Sequence, residues 1–279
     1  MHARSALFDL YGDHLRTRGD RAPVAALVRL MSSLGIAAPA VRTAVSRMVR
    51  QGWLEPTRLA TGPGYALSLR ARRRLDDAAA RIYRTRDAVW LGSWDLLVID
   101  PLVERSARDR VRGGLAFLGY APLSDSTWIG AFPADEVGTL LDAERARYVR
   151  LSAHDERPSE RARSAWDLHG LAEAYVAWRG FADRLLADPD SELHGISRAG
   201  EEQQAFAVRS VLLHEWRKFL FTDPGLPAEL LPVDWVGHEA ARFFDREAAR
   251  LLPAASRFVD HCLTEADPER TRNETGARR

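Results

Sequence analysis

The segment that decides the fold reads Pro39-Ala40-Val41-Arg42-Thr43-Ala44-Val45-Ser46-Arg47-Met48-Val49-Arg50-Gln51-Gly52. Its apolar residues recur at helical spacing, which predicts a helix with one buried side. Proline suits the first turn of a helix, and glycine commonly follows the last residue. The polar residues fall on the opposite side: Arg42, Thr43, Ser46, Arg47 and Arg50. We therefore predict an amphipathic helix whose outward side is cationic.

Two further helices are predicted before this segment and a β-hairpin after it. Apolar residues at helical spacing indicate helices over residues 5–15 and 23–34, the second joined to residue 39 by a tight turn. Alternating residues over 53–58 and 65–69, on either side of a Gly-Pro-Gly loop, indicate two short strands. Three helices followed by a hairpin is the arrangement of a winged helix-turn-helix.

Charge is distributed unevenly along the chain. Its 279 residues carry a net charge of +1, but residues 1–86 hold sixteen arginines and no lysine against six carboxylates, a charge of +10. The remaining residues carry −9. A strongly basic module joined to an acidic remainder indicates that the N-terminal part binds a polyanion.

A helix that carries arginine, threonine and serine on its outward side matches the major groove of DNA, where these side chains bond base edges. We expect Arg42, Thr43, Ser46 and Arg47 to contact base edges and Arg50 to contact phosphate. In the hairpin, Arg58 and Thr61 are expected to lie over the adjacent backbone and hold the register. The alternative is that these residues form only the solvated side of an amphipathic helix.

The rest of the chain predicts two more domains. Strands over 94–100, 127–130 and 148–151 alternate with helices over 106–118 and 135–142, which indicates a small ferredoxin-like α/β domain. From residue 166 the pattern is helical, and the last dozen residues are expected to fray. The expected fold is therefore an α+β multi-domain protein, divided into 1–86, 87–165 and 166–279.

Two separated sets of motifs resemble one known family. Leu10-Tyr11-Gly12-Asp13, Arg18-Gly19, the run from Val41 to Met48 and Gly52-Trp53-Leu54 resemble the N-terminal domain of the PaaX transcriptional repressors, which regulate phenylacetate catabolism and related pathways. Downstream, the segments 213–218, 223–232 and 235–238 resemble the C-terminal domain of that family. The two sets occur in the family's order and cover most of the chain.

The resemblance implies a repressor of transcription, not an enzyme, whose partner is double-stranded operator DNA. It also implies an effector, an aryl-acyl coenzyme A thioester such as phenylacetyl-CoA, that releases the protein from its operator. Candidate effector-binding residues, taken from the downstream motif, are His214, Arg217, Lys218, Trp235 and His238. The alternative is that they only hold the motif's loop to its helix. A homodimer is expected, because one winged helix contacts too little DNA for tight binding.

Two other functions stay open at this stage. The family's middle domain resembles a small CRISPR-associated nuclease fold, so Asp95 or Asp100 could hold a divalent cation before a phosphate. No second pair of carboxylates supports that site, and His214, Glu215, His238 and Glu239 lack the spacing of a metal motif. The other alternative is a non-specific nucleic-acid-binding protein, either architectural or RNA-binding. We expect no cofactor and no metal.

Cysteine content and hydropathy exclude several classes of protein. With Cys262 as the single cysteine, no disulfide can form within the chain, which fits a reducing cytoplasm. No apolar run approaches the roughly 18 residues of a membrane helix, and the N-terminus lacks the apolar core of a signal peptide. The expected location is the cytoplasm.

Overall fold

The chain forms a mixture of helices and two antiparallel sheets, described by a computed structural model for residues 1–59, 62–82, 89–193 and 200–265. The helices are α1 (Ala3–Leu10), α2 (Val24–Ser32), α3 (Ala38–Arg50), α4 (Leu69–Ile82), α5 (Arg105–Phe117), α6 (Glu136–Ala143), α7 (Pro158–Ala165), α8 (Leu168–Ala187), α9 (Pro189–Glu192), α10 (Glu201–Trp216) and α11 (Val236–Glu265). The strands are β1 (Arg21–Pro23), β2 (Leu54–Leu59), β3 (Gly62–Leu67), β4 (Ser93–Ile99), β5 (Ala121–Pro122), β6 (Thr127–Gly130) and β7 (Tyr148–His154).

Contacts divide the chain into two compact units. The first consists of Met1–Tyr83, Trp178–Trp216 and Ala241–Arg279, and the second of Arg84–Ala177 and Arg217–Ala240. The proposed boundaries at residues 86 and 165 stay a prediction. The tail that we expected to fray lies outside the described residues.

The first unit contains the predicted helices and hairpin, with additions. Strands β2 and β3 pair antiparallel, and β1 extends them into a sheet of order β1-β3-β2. Strand β1 has three residues and ends in proline, so it carries no alternating pattern that sequence reading could detect. The core beneath this sheet and α1 to α3 includes residues from α10 and α11: Phe206, Ala255, Phe258, Val259 and Cys262.

Several helix boundaries differ from the predicted ones. Regular helix α1 ends at Leu10, and the chain continues as a wide π-helical turn over Tyr11–Leu15 and a 3-10 turn over Arg16–Arg18. Helix α10 ends at Trp216 and is followed by a 3-10 turn over Arg217–Phe221. Helix α11 runs unbroken through Pro253. Within the described ranges, no helix combines the length and the apolar character needed to cross a membrane.

The second unit is built on a four-stranded antiparallel sheet of order β5-β6-β4-β7. In the chain its elements follow the order β4-α5-β5-β6-α6-β7, so the short strand β5 is added to the predicted pattern. Leu97 and Ile99 of β4 lie in one buried cluster with Val111 and Leu115 of α5 and Leu141 of α6. The two helices therefore cover one face of the sheet.

Candidate nucleic-acid interface

Helix α3 buries one side and exposes the other. The buried residues are Val41, Ala44, Val45 and Met48, and Val49 is partly buried against the same core. All five residues that we predicted to contact DNA from this helix are exposed: Arg42, Thr43, Ser46, Arg47 and Arg50. The cationic side of α3 is therefore open to solvent.

The turn that precedes α3 is fixed by two residues. Gly35 has a φ of +72°, in the left-handed region that glycine adopts readily, and its N–H donates to the carbonyl of Ser32 at 3.0 Å. Ile36 is buried in the core, which anchors the link between α2 and α3. This turn sets the angle at which α3 leaves α2.

Hydrogen bonds hold the hairpin against the helices. The hydroxyl of Tyr11 donates to the carbonyl of Tyr65 in β3 at 2.8 Å, and burial raises the pKa of Tyr11, which keeps the hydroxyl protonated as a donor. The hydroxyl of Ser68 donates to the carbonyl of Gly52 at 2.7 Å. Arg58 is exposed on β2, whereas Thr61 lies outside the described residues.

Most of the described arginines of residues 1–82 fall into two groups. Those of the first group are neutralised: Arg16 pairs with Asp20 and Asp76, Arg18 with Asp260, Arg29 with Glu265, and Arg72 with Asp20. The second group has no carboxylate within ion-pair distance among the described residues: Arg4, Arg21, Arg42, Arg47, Arg50, Arg58, Arg70 and Arg73. Four of these eight lie on α3 and the hairpin, and the others lie on α1, β1 and α4.

A buried ion pair and a histidine–carboxylate contact join the N-terminal segment to helix α10 of the same unit. Arg209 of α10 donates to both carboxylate oxygens of Asp13, and Nδ1 of His214 lies 2.8 Å from the carboxylate of Asp9. The side chains of Asp9 and Asp13 are 5% and 4% exposed. Sequence reasoning missed these contacts, although Asp13 and His214 both stand in the motifs quoted above.

The five candidate effector residues are divided between the two units. His214 belongs to the first unit, where Asp9 engages its imidazole. The other four belong to the second: Arg217 is half-buried, Lys218 and His238 are exposed, and Trp235 is 8% exposed.

In the second unit, Tyr175 joins the two halves of the downstream motif. Its ring stacks on that of Phe219 with centroids 4.0 Å apart and meets the ring of Trp235 edge-on at 6.1 Å. Its hydroxyl donates to the carboxylate of Asp223. A side chain at Gly237 would lie 2.4 Å from the indole nitrogen of Trp235, so glycine permits this packing. Tyr175 was not singled out from the sequence, which predicted only a helical pattern from residue 166.

The carboxylate considered for catalysis is engaged by protein groups. Asp95 accepts hydrogen bonds from the hydroxyl of Tyr120 and from Nε of Arg150, the latter at 2.8 Å. Asp100 is exposed at the end of β4. In the described part of the chain, no group of three or more His, Cys, Asp or Glu side chains is arranged to hold a metal ion.

Three family models match successive parts of this sequence. They are the PaaX-like protein model at residues 2–71, the PaaX protein central Cas2-like domain at 87–165 and the PaaX-like protein C-terminal domain at 166–261. The transcriptional repressor PaaX of Escherichia coli (strain K12) is 30% identical over 269 residues, which cover 91% of this chain and 82% of that protein. The chain belongs to the PaaX family of transcriptional repressors.

A solved structure shares the fold of this PaaX-family chain. It is that of the uncharacterized protein Rv0674 from Mycobacterium tuberculosis, with 27% identity and a TM-score of 0.59, and the match covers 94% of this chain and 98% of that one. Assignment to the PaaX family confirms the resemblance drawn from the two motif sets. The Cas2-like model covers the segment in which we expected an α/β domain.

Proposed function

We propose that this PaaX-family chain binds an operator duplex by placing α3 in the major groove, and that α2, α3 and the β2–β3 hairpin act as a winged helix-turn-helix. The observation that carries the proposal is the exposed side of α3, where Arg42, Arg47 and Arg50 have no ion-pair partner among the described residues. An α-helix fits the major groove, and guanidinium groups bond guanine in a bidentate manner.

The residues of this surface have different roles in the proposal. Arg42, Thr43, Ser46 and Arg47 lie on successive turns of the exposed side and contact base edges. Arg50, in the last turn, contacts phosphate. Arg58 on β2 contacts the backbone beside the groove, and we assign Thr61 of the hairpin loop the same role from sequence alone.

We also propose that the sheet of the second unit is a ferredoxin-like fold. The element order β-α-β-β-α-β, with both helices packed on one face, supports this assignment. On this basis the functional domains are 1–86, which binds DNA, 87–165, which is ferredoxin-like, and 166–279, which is helical.

An aryl-acyl coenzyme A thioester, such as phenylacetyl-CoA, is the effector we propose. Such a ligand needs cations for its phosphates and an aromatic surface for its acyl group. Arg217 and Lys218 directly precede Phe219, whose ring stacks with that of Tyr175. The ring of Trp235 meets that of Tyr175 edge-on, and His238, three residues after Trp235, is exposed. His214 is assigned a supporting role, because Asp9 engages its imidazole.

The active species in this proposal is a homodimer. Two recognition helices related by a two-fold axis read a palindromic site with half-sites about one helical turn apart, or a multiple of this. Light scattering coupled to size-exclusion chromatography measures the state directly. A mass of one chain at micromolar concentration, both with and without DNA, would contradict this part of the proposal.

The experiment that tests the function is a mobility shift on the DNA that flanks the chain's own gene, with scrambled DNA of equal length as competitor. Specific retention that an acyl-CoA thioester abolishes supports both the repressor function and the effector. Specific retention that no thioester of a panel affects would contradict the proposed effector and leave the repressor function standing. Lys218→Gln is the variant of choice for the effector, since its side chain is exposed, and we expect it to raise the thioester concentration needed for release.

The same experiment separates the alternatives. Equal retention of scrambled and flanking DNA would indicate a non-specific nucleic-acid-binding protein. No observation favours a nuclease, because Asp95 is held by Tyr120 and Arg150.

A further inference from the structure

Two arginines and two aromatic residues beside α3 contact each other in a row, which we call the ladder: Arg4, Phe8, Trp53 and Arg70. The guanidinium of Arg4 lies 5.7 Å from the ring centroid of Phe8, and that of Arg70 lies 4.6 Å from the ring of Trp53. The two aromatic rings meet edge to face with centroids 5.3 Å apart. The ladder therefore joins the start of α1, the start of β2 and the start of α4 in one surface.

The two guanidinium groups of the ladder point to an anionic ligand. Arg4 and Arg70 are exposed, and neither has a carboxylate within ion-pair distance among the described residues. Both stand in the first turn of a helix, where the helix dipole adds positive potential. Contact with an aromatic face orients each guanidinium, so binding an anion costs less conformational entropy.

The ladder has a fixed position relative to α3. Trp53 comes three residues after Arg50, and its N–H donates to the carbonyl of Met48 in α3 at 2.9 Å. The hydroxyl of Ser68, which caps α4 by accepting from the N–H of Ala71 at 3.2 Å, donates to Gly52 at the end of α3. The ladder thus lies beside the C-terminal end of α3, about 20 Å along β2 from the hairpin loop.

We propose that Arg4 and Arg70 bind backbone phosphates of the operator on the flank opposite the hairpin. This inference rests on the proposed function and adds a contact to it: α3 reads bases, the hairpin holds one flank, and the ladder holds the other. Phosphate contacts on both flanks fix the angle of α3 in the groove, although they carry no sequence information themselves.

The test compares the salt dependence of operator binding among four proteins: wild type, Arg4→Gln/Arg70→Gln, Arg4→Lys/Arg70→Lys, and the control Arg112→Gln/Arg242→Gln. The control removes the same charge from two exposed arginines, one on α5 and one on α11. Each lost phosphate contact lowers the log–log salt slope by about 0.9, so we expect a reduction of about 1.8 in the glutamine variant. Between 50 and 200 mM salt, the affinity of wild type for the operator should therefore fall by roughly a further tenfold compared with that of the glutamine variant.

The expected pattern is a lower slope in the glutamine variant alone, with recovery in the lysine variant, which keeps the charge. With the glutamine variant, ethylation interference should lose its signal at the phosphates flanking the α3 site, while the base preference stays that of wild type. A glutamine variant whose slope equals that of wild type, or a control variant with the same loss, overturns the proposal. If wild type itself shows no preference for the flanking DNA, the proposed function fails first, so the two failures are distinguishable.

Discussion

The guanidinium of Arg209 donates to Asp13 twice, at 2.8 Å from Nε and at 2.6 Å from a terminal nitrogen, with both side chains at most 5% exposed. A third hydrogen bond runs from Arg209 to the carbonyl of Ala248 in α11. Three segments far apart in sequence therefore meet at one buried cation: the turn after α1, helix α10 and helix α11. The same turn carries Tyr11, whose hydroxyl donates to the carbonyl of Tyr65 in the hairpin.

Removing one partner of this pair is expected to destabilise the protein strongly. Asp13→Asn leaves the buried guanidinium of Arg209 without its counter-charge, and we expect a loss of about 3–5 kcal/mol in the free energy of unfolding. Urea unfolding followed by circular dichroism measures it. Adding Arg209→Met to Asp13→Asn should cost less than the sum of the two single changes, because the charges are removed together.

The matched control for that prediction is an exposed pair in the same unit. Arg257 and Glu202 lie 2.6 Å apart with side chains 59% and 44% exposed. Solvent screens such a pair, so Arg257→Gln should cost about 0–1 kcal/mol. A similar cost for Asp13→Asn and Arg257→Gln would show that the buried pair contributes nothing beyond a surface contact.

The stability of the protein should also fall as the pH is lowered, because of His14. Its side chain is 2% exposed, and burial lowers its pKa from 6.5 to about 4, against an opposing effect of Asp13. The unfolded chain takes up a proton near pH 6.5 while the folded chain does not, so stability is complete above pH 6.5 and is lost towards pH 4. At about 1.4 kcal/mol per unit, the loss amounts to roughly 3 kcal/mol.

Urea unfolding at pH 7.5, 5.5 and 4.5 tests this for wild type and His14→Gln. As the pH is lowered, we expect the free energy of unfolding of wild type to fall more steeply than that of the variant. The variant is less stable already at pH 7.5, because its side chain packs less well on Phe206. Parallel curves for the two proteins would contradict a buried neutral imidazole. The comparison of slopes is independent of the stability lost by the substitution itself.

Features with a local signal were predictable from sequence. The exposed and buried sides of α3 follow from the 3.6-residue period, and both ends were placed within two residues because Pro39 and Gly52 mark them. The hairpin and the three predicted strands and two predicted helices of the second unit also follow from local patterns, whereas the two-residue strand β5 was missed. In each case the information lies within a dozen consecutive residues.

Features that depend on distant contacts were not predictable. The pairing of Asp13 with Arg209 spans 196 residues, and no periodicity indicates it. A proline inside a helix removes one backbone hydrogen bond, yet α11 continues through Pro253, because Leu251, Ala255 and Phe258 on both sides of it are buried. Arg4 and Arg70 resembled other surface arginines until their stacking on Phe8 and Trp53 distinguished them.

Asp95 is expected to contribute to stability and not to catalysis. Burial and the neighbouring carboxylate raise the pKa of Tyr120, so its hydroxyl stays a donor to Asp95. Asp95→Asn weakens this bond and removes the charge partner of Arg150, which should cost about 1–3 kcal/mol. Asp100→Asn, at an exposed position, should change stability by less than about 0.5 kcal/mol. Plasmid cleavage by wild type with magnesium or manganese, abolished by Asp95→Asn, would contradict this expectation.

The division of roles between α3 and the hairpin gives opposite expectations for two arginines. Arg47 lies on the exposed side of α3, one turn before its end, so Arg47→Ala should relax discrimination at one base position by about 1–3 kcal/mol. Arg58 lies on β2, so Arg58→Ala should lower the salt slope by about 0.9 and leave base preference unchanged. Titration of an operator library with each position varied, repeated at three salt concentrations, measures both quantities.

Neither effect should arise from the loss of one positive charge alone. Arg242→Ala removes an exposed arginine of α11 in the same unit, and we expect it to change neither the base preference nor the slope beyond experimental error. Arg47→Ala should also lower the slope a little if its guanidinium contacts a phosphate as well as a base, so the deciding quantity is the base preference. Identical preference profiles for Arg47→Ala and Arg58→Ala would contradict the division of roles, because a residue that contacts only phosphate weakens binding equally on every sequence.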